Sequence, residues 1–208
     1  MLATIQARTQ AGLWWLAALA ILMATAARVG ASEFGIPAFD RQGLVLANAW
    51  RSPWLDAAFP VLTWFGSLAV LLPLVLVAGI LLWRRGRHAE AGFVIAALAS
   101  AAGFAQLVKR LTLRPRPDLF PPLVSVASPL SFPSAHAVQV AAVAAALMLL
   151  VWRRAPHGRA LAIVCAFSLV VLVDFSRLYL QVHYPSDVLA GSLAAGCWVV
   201  GLHKLIRA

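Results

Sequence analysis

Six long apolar segments dominate this sequence and leave only short polar stretches between them. They cover approximately residues 11–29, 57–83, 90–111, 135–152, 160–178 and 186–206. A helix of about 20 apolar residues crosses the hydrocarbon core of a bilayer. The pattern therefore predicts an all-α bundle of six transmembrane helices, formed by residues 1–208 as one integral membrane domain. The second segment is the clearest span because it carries no charge, whereas Asp174 interrupts the fifth.

The composition agrees with a membrane protein. Hydrophobic residues make up 62% of the chain and charged residues 12%, whereas a soluble domain has about 25% charged residues. The formal net charge of +10 raises the alternative of a nucleic-acid-binding protein. No soluble segment carries a basic stripe with interleaved aromatic residues, however. We therefore interpret the basic residues as flanking the spans, and we expect no nucleic-acid partner.

The basic residues between the spans predict the orientation of the chain. If the N-terminus is cytoplasmic, the inner loops and tails carry Arg8, Arg84, Arg85, Arg87, Arg153, Arg154, Arg159, Lys204 and Arg207. This satisfies the positive-inside rule and predicts that both termini lie in the cytoplasm. A cleaved signal peptide is the alternative for the first segment and would leave five spans. The basic stretch from Lys109 to Arg116 falls on the outer side against the rule, which indicates a function.

Three polar groups lie at the outer ends of different spans. They are Lys109-Arg-Leu-Thr-Leu-Arg-Pro-Arg116-Pro117, then Pro133-Ser134-Ala135-His136, and then the segment from Ser176-Arg177 through His183 to Asp187. Because the helices of one bundle can bring these ends together, we expect one pocket at the outer rim. Lys109, Arg116 and Arg177 supply positive charge, while helix N-termini and the Ser134 hydroxyl add further donors. These groups predict a phosphate-binding site.

Two histidines in a phosphate site indicate catalysis. His183 and Asp187 are four residues apart across a helix start. The carboxylate can therefore hold one ring nitrogen as a donor and leave the other free to attack phosphorus. His136 can then protonate the leaving oxygen. In the plainer alternative the histidines are interfacial, Lys109 extends towards head groups and Asp187 caps a helix. That alternative does not account for their convergence on one face.

These residues resemble the type 2 phosphatidic acid phosphatase (PAP2) family, which is related in fold to the vanadium haloperoxidases. The family pattern is Lys, six residues, Arg-Pro; then Pro-Ser-Gly-His; then Ser-Arg, five residues, His, three residues, Asp. The matching residues are Lys109, Arg116, Pro117, Pro133, Ser134, His136, Ser176, Arg177, His183 and Asp187. The resemblance implies catalysis by His183 as nucleophile, Asp187 as its orienting partner and His136 as acid. It also implies four phosphate ligands, namely Lys109, Arg116, Ser134 and Arg177, with no metal and no cofactor.

Ala135 departs from the family pattern, which has Gly at that position. A Cβ there would obstruct a positive φ or a very close approach of phosphate, so the geometry of this backbone N–H is left open. Arg110 and Arg114 are expected to contact lipid head groups. Asp174 is costly within a span unless it is paired, and we expect Arg177 or Arg110 as its partner.

The resemblance implies a metal-independent lipid phosphatase that acts through a phosphohistidine at the outer face of a bacterial inner membrane. Undecaprenyl diphosphate is the favoured substrate, ahead of phosphatidate, phosphatidylglycerol phosphate and lipid A phosphate. One alternative is a phosphotransferase that uses the same site to phosphorylate another lipid hydroxyl. Another is a lipid-phosphate binding or transport protein without hydrolysis. The sequence predicts neither the lipid head group nor the oligomeric state, and residues 30–56 carry no recognisable motif.

Overall fold

The computed structural model describes residues 2–30, 35–154 and 156–206, and their regular secondary structure is helical. The α-helices in these residues are α1 (Leu2–Gly30), α2 (Ala38–Ala49), α3 (Pro53–Leu62), α4 (Leu68–Arg84), α5 (His88–Thr112), α6 (Ala135–Arg154), α7 (Arg159–Tyr179) and α8 (Pro185–Ile206). Short 3-10 helices, Thr63–Gly66 and Pro156–Gly158, precede α4 and α7. Arg207 lies outside the described residues, as do the side chains of Arg153 and Arg154.

The predicted all-α membrane bundle is confirmed, with one change in the second span. In the described residues, five helices are long and apolar enough to cross a membrane alone, namely α1, α5, α6, α7 and α8. The second apolar segment, predicted as the clearest span, consists of two pieces that are bent by 44° and form a sixth span only together. The bend lies at Ser67, whose backbone is extended, and Pro60 lies inside the first piece. The fifth segment, predicted as the weakest, is the unbroken helix α7.

Helix α6 packs against α5, α7 and α8 near the centre of the bundle. Its contact surfaces are rich in alanine, and the fully buried alanines of α5 and α6 include Ala97, Ala101, Ala105, Ala142 and Ala146. Small side chains allow helix backbones to approach closely in a membrane, where burial from water does not drive helix association. This close packing fixes the ends of α5, α6 and α8 relative to one another.

The segment without a recognisable motif, residues 30–56, contains α2 and the start of α3. Helix α2 lies against α7 and α8. Gly43 of α2 faces the ring of Pro185, and a Cβ at Gly43 would overlap the Cγ of that ring. The missing side chain therefore lets α2 lie directly on the first turn of α8.

Helix α1 packs along α8. A Cβ at Gly201 of α8 would lie 2.6 Å from Nε1 of Trp15 and 3.1 Å from the carbonyl oxygen of Ala11. The same Nε1 donates a hydrogen bond to the Trp198 carbonyl at 3.2 Å. The contact between the two helices therefore depends on the absence of a side chain at Gly201.

We expect Gly201→Ala to lower the melting temperature in detergent, because the added methyl group displaces Trp15 and breaks its hydrogen bond. Overpacking of this kind costs about 1–3 kcal/mol, while replacing a helical glycine by alanine gains about 1 kcal/mol. Gly196→Ala is the matched control, since it lies on the same helix with no atom near its added Cβ. Equal melting temperatures for the two variants would contradict the close contact of α1 with α8.

Candidate active site

Five of the seven predicted site residues line one cavity of about 650 Å³. They are Lys109, Arg116, His136, Arg177 and His183. The cavity lies where α5 and α7 end and where α6 and α8 begin. Other lining residues come from α3, from the 3-10 helix after it and from the loop around residues 124–128. Stretches that are distant in the sequence therefore meet at one end of the bundle.

His183 lies in the loop before α8 with 2% of its surface exposed. Its Nδ1 is 3.4 Å from Oδ2 of Asp187, and its Nε2 is 3.2 Å from a terminal nitrogen of Arg116. Because a guanidinium can only donate, Nε2 is the acceptor and Nδ1 carries the hydrogen that faces the carboxylate. Burial, followed by the charges of Arg177 and Arg116, holds the pKa of His183 well below its usual range. The ring is therefore neutral, with a lone pair facing the cations.

Asp187 is the third residue of α8 and is completely buried beside His183. Its Oδ2 accepts the backbone N–H of Tyr184 at 2.9 Å. This interaction resembles a capping box, in which a carboxylate in the first turn binds the backbone that precedes the helix. Oδ1 accepts a second bond, from Arg114 at 2.5 Å. Capping of α8 and the predicted orientation of His183 are therefore compatible, because the Asp187 carboxylate can do both from one position.

Backbone carbonyl groups hold Lys109 and Arg116 at the cavity. Nζ of Lys109 donates to the carbonyl of Leu130 at 2.9 Å. Nε of Arg116 donates to the carbonyl of Ser128 at 2.7 Å, and NH1 donates to that of Val182 at 2.6 Å. Among the described residues the hydrogen-bond partners of these two cations are therefore uncharged, which favours the binding of an anion.

Arg177, in the last turn of α7, donates from NH1 to Oγ1 of Thr63 at 2.6 Å. Its Nε is buried and has no hydrogen-bond partner in the described part of the chain. Thr63 is not identified in the sequence analysis, because this residue lies in an apolar segment that suggests one continuous span. Pro60 and the Gly66-Ser67 pair could have indicated a break in that span near Thr63, because such residues interrupt helices.

The start of α6 brings His136 to the cavity, and Ser134 does not line it. Ser134 is completely buried. Its Oγ accepts the N–H of Ala137 at 3.5 Å, and its own N–H donates to the carbonyl of Asp187 at 3.2 Å. The hydroxyl thus faces its own helix, and its role as a phosphate ligand stays a prediction.

Ala135, which replaces the glycine of the family pattern, is the first residue of α6 and lines the cavity. Among the non-glycine residues that the structure describes, only Leu113 and Gln181 have a left-handed φ. The backbone at Ala135 therefore does not require glycine. The Cβ of Ala135 therefore does not conflict with the backbone conformation at this position.

Arg114 and Asp40 are two buried residues that the sequence does not assign to the site. The predicted head-group contact of Arg114 is wrong, because its side chain is only 8% exposed and donates to both Asp187 and Asp40. Asp40 belongs to α2, 74 residues before Arg114, and it is 1% exposed. No local motif links residues so far apart. Arg110, one turn earlier than Arg114, is exposed.

Asp174 does not pair with either expected arginine. Its Oδ2 accepts the hydroxyl of Ser192 in α8 at 2.7 Å. Its Oδ1 is buried without a hydrogen-bond partner among the described residues. Arg177, the first expected partner, binds Thr63 instead. Asp174 therefore connects α7 to α8 and is not part of the cavity lining.

Residues 90–208, more than half of the chain, match the family model of the PAP2 superfamily. The chain belongs to the PAP2 superfamily. Phosphatidylglycerophosphatase B of Bacillus subtilis is 27% identical to it over 82% of this chain and 83% of that protein. The decaprenylphosphoryl-5-phosphoribose phosphatase of Mycobacterium tuberculosis is 42% identical over 58% of this chain and 62% of that protein. The family predicted from the motifs is thereby confirmed.

A solved structure agrees with this assignment. It is a transmembrane PAP2-type phosphatidylglycerolphosphate phosphatase from Bacillus subtilis, with a TM-score of 0.80 and 25% identity. The match covers 91% of this chain and 94% of that one. The shared fold confirms a multi-pass membrane protein, and the family confirms the predicted lipid phosphatase.

We expect Gly66→Ala to displace His136 and to lower kcat. A Cβ at Gly66 would lie 2.6 Å from Cγ1 of Val173 and 3.0 Å from Cβ of His136. A displacement of about 1 Å in an active site can lower the rate about 100-fold. The rate is measured as phosphate release from a lipid phosphate in detergent. Gly103→Ala, with no atom near its added Cβ, is the control and should retain kcat. An unchanged kcat in Gly66→Ala would show that this contact does not fix His136.

Proposed function

We propose that this PAP2-type lipid phosphatase hydrolyses its substrate through a phosphohistidine formed on His183. The orientation of this ring is the observation that carries the proposal. Its Nε2 faces Arg116 at the cavity, while its Nδ1 faces Asp187. A neutral imidazole with its lone pair on Nε2 is a nucleophile once the phosphate takes over the Arg116 donor, and the adjacent carboxylate fixes the tautomer.

The cations around the cavity support the binding of a phosphoryl group. Lys109 and Arg177 are 5% and 4% exposed, and buried charges are costly unless they are compensated. The cavity lining contains no carboxylate among the described residues. In addition, Nε of Arg177 lacks a partner there. A phosphate with several charged oxygens satisfies these donors, and guanidinium groups suit it well.

The reaction then proceeds in two steps. Nε2 of His183 attacks phosphorus, and the bond from phosphorus to the lipid oxygen breaks as His136 gives that oxygen a proton. The negative charge of the bound phosphate favours the protonated form of His136 before this transfer. Water next attacks the phosphohistidine, the bond between phosphorus and nitrogen breaks, and His136 takes up the proton of the water. The cations stabilise charge on the phosphoryl oxygens in both steps.

We propose a phosphate ester on a glycerol or a sugar as the preferred substrate. The polar lining residues beyond the cations and histidines are uncharged, namely Thr63, Ser67, Gln106, Ser125 and Ser128. One phosphoryl group therefore binds to the cations, and the adjoining group of the substrate contacts hydroxyl and amide donors. The two relatives named above, a phosphatidylglycerophosphatase and a decaprenylphosphoryl-5-phosphoribose phosphatase, are named after such esters. Undecaprenyl diphosphate, which is favoured in the sequence analysis, is the alternative substrate that the same assay tests.

We propose further that the site faces the extracytoplasmic side of a bacterial inner membrane, with both termini in the cytoplasm. The cavity lies at the ends of α5 and α7, whereas Arg84, Arg85, Arg87 and Arg159 lie near the opposite ends of these helices. An excess of arginine in short loops marks the cytoplasmic side.

A phosphate-release assay in detergent with EDTA tests the proposed reaction. The substrates are phosphatidylglycerol phosphate, phosphatidate, lipid A phosphate and undecaprenyl diphosphate. Wild type should keep its activity in EDTA, since no group of three or more His, Cys, Asp or Glu among the described residues is placed to hold a metal ion. We expect His183→Ala to lose activity by at least about 1,000-fold. Labelled phosphate should appear on wild type in an acid-labile bond after rapid quenching.

His157→Ala is the control for this assay, because His157 is exposed and lies in the 3-10 helix before α7. Adding a lipid alcohol distinguishes the phosphotransferase alternative, since a transferase forms a phosphorylated acceptor instead of free phosphate. Dependence on a metal, or full activity in His183→Ala, would contradict the proposed mechanism. Turnover of undecaprenyl diphosphate ahead of the monoesters would contradict the proposed substrate preference alone.

The neutral state of His183 predicts a stability that depends on pH. Its pKa is lowered in the folded protein, chiefly by burial, and is about 6.5 in an unfolded chain. Between these two pKa values the unfolded state binds more protons than the folded state. The free energy of unfolding is therefore highest above about pH 6.5 and decreases as the pH falls below that value. We expect the melting temperature to fall from about pH 7 to about pH 5, and to fall less in His183→Asn. An equal fall in both proteins would argue against a neutral His183, and His157→Asn is the control.

A further inference from the structure

We infer that Arg114 and Asp40 are positioning residues, which act through Asp187 to hold His183 in its reactive orientation. This inference rests on the proposed role of His183. Arg114 lies in the same basic stretch as Arg116, yet only Arg116 lines the cavity that contains the histidines. Two arginines that are separated by one proline therefore have different tasks, and Arg114 is not a phosphate ligand.

The contacts of Arg114 occupy both terminal nitrogens of its guanidinium. NH1 donates to Oδ1 of Asp187 at 2.5 Å and to the hydroxyl of Ser186 at 2.8 Å. NH2 donates to Oδ2 of Asp40 at 2.6 Å. The guanidinium carbon lies 3.9 Å from the ring centre of Tyr184. Both terminal nitrogens thus bind carboxylates while an aromatic ring covers one face, an arrangement that uses the planar shape of arginine.

Asp40 completes this network from α2. Its Oδ1 accepts the backbone N–H of Ser186 at 2.9 Å, and its Oδ2 accepts the hydroxyl of the same residue at 2.7 Å. These bonds fasten α2 to the first turn of α8, which also carries Asp187. Gly43, one turn further along α2, allows this close approach because it has no side chain. Asp40 therefore orients Arg114 and also fixes the helix start behind His183.

The network determines which hydrogen-bonding state Asp187 presents to His183. A completely buried carboxylate that loses its cation tends to bind a proton. A protonated Asp187 could donate to Nδ1 of His183, which would favour the tautomer with hydrogen on Nε2. That tautomer has no lone pair facing the cavity and cannot attack phosphorus. The ion pair with Arg114 keeps Asp187 an acceptor, and Asp40 balances the charge of Arg114.

Arg114→Gln distinguishes positioning from phosphate binding. We expect kcat to fall about 100-fold, since loss of an orienting partner of a catalytic histidine costs up to about 10,000-fold and Arg114 acts one contact further away. The inhibition constant of inorganic phosphate should stay within about threefold of wild type. Arg116→Gln is the contrasting variant, because it removes a cation of the cavity and should raise that constant. Arg110→Gln, on an exposed arginine of the same stretch, is the control and should change neither.

A double-variant cycle tests whether Arg114 acts through Asp187. In an Asp187→Asn background, Arg114→Gln should cause little further loss of kcat, because residues that act as a unit are not additive. A merely structural role predicts instead that the two losses multiply. Arg114→Lys should restore part of kcat relative to Arg114→Gln, since it keeps the charge without the planar fork.

Asp40→Asn supplies the test if Arg114→Gln does not fold, as judged by its melting temperature. The asparagine keeps one oxygen to accept the N–H of Ser186. It removes the charge and replaces the oxygen that accepts from Arg114 and from the Ser186 hydroxyl by an amide nitrogen. We expect kcat to fall about 10-fold with the phosphate inhibition constant unchanged. Any of three results would overturn the inference. They are an unchanged kcat in Asp40→Asn, losses of kcat that multiply in the double variant, and a raised inhibition constant of phosphate in Arg114→Gln. An active His183→Ala would instead reject the proposed function itself.

Discussion

The imidazole of His183 separates a positive group of buried and half-buried side chains from a negative one, and the remaining features of the site depend on this change of sign. The positive group consists of Lys109, Arg116 and Arg177, and the negative group consists of Asp187 and Asp40. A neutral ring between them has one favoured tautomer, with its hydrogen towards the carboxylate and its lone pair towards the cations. Because the groups are buried, water screens these interactions little. Arg114 belongs structurally to the negative side, since it holds the two carboxylates together.

Such a concentration of charge needs a rigid surrounding. The cavity cations donate hydrogen bonds to backbone carbonyls in the loops and to the hydroxyl of Thr63, so their positions do not depend on a bound anion. The loops in turn are attached to helices whose alanine-rich faces pack closely. Donors that are fixed before the substrate arrives need no reorganisation when charge develops on the phosphoryl group. The apolar bundle and the polar site are therefore connected, because close helix packing is what holds the donors in place.

Much of this site is predictable from the sequence because its residues lie beside helix ends, and hydropathy shows where spans end. Arg114 and Arg116 mark the limit of such reasoning. They are two positions apart, yet one contacts Asp187 and the other contacts Nε2 of His183. Their difference is set by tertiary contacts, including one with a distant helix. The bend in the second span is missed for another reason, since hydropathy averaged over a whole span hides a proline and a Gly-Ser pair.

The match to the PAP2 superfamily covers residues 90–208 and includes every predicted site residue. Residues before position 90 nevertheless reach the site at two points, where Thr63 binds Arg177 and Asp40 binds Arg114. The same region contributes Pro60, Trp64 and Ser67 to the cavity lining. In the proposed mechanism the helices that bear the motifs provide the phosphate chemistry, while the preceding helices hold two arginines and line one side of the cavity. We therefore expect substitutions at Pro60, Trp64 or Ser67 to change which lipid enters rather than the proposed reaction. We expect substitutions at Thr63 or Asp40 instead to slow the proposed reaction, because the arginines that they hold would move.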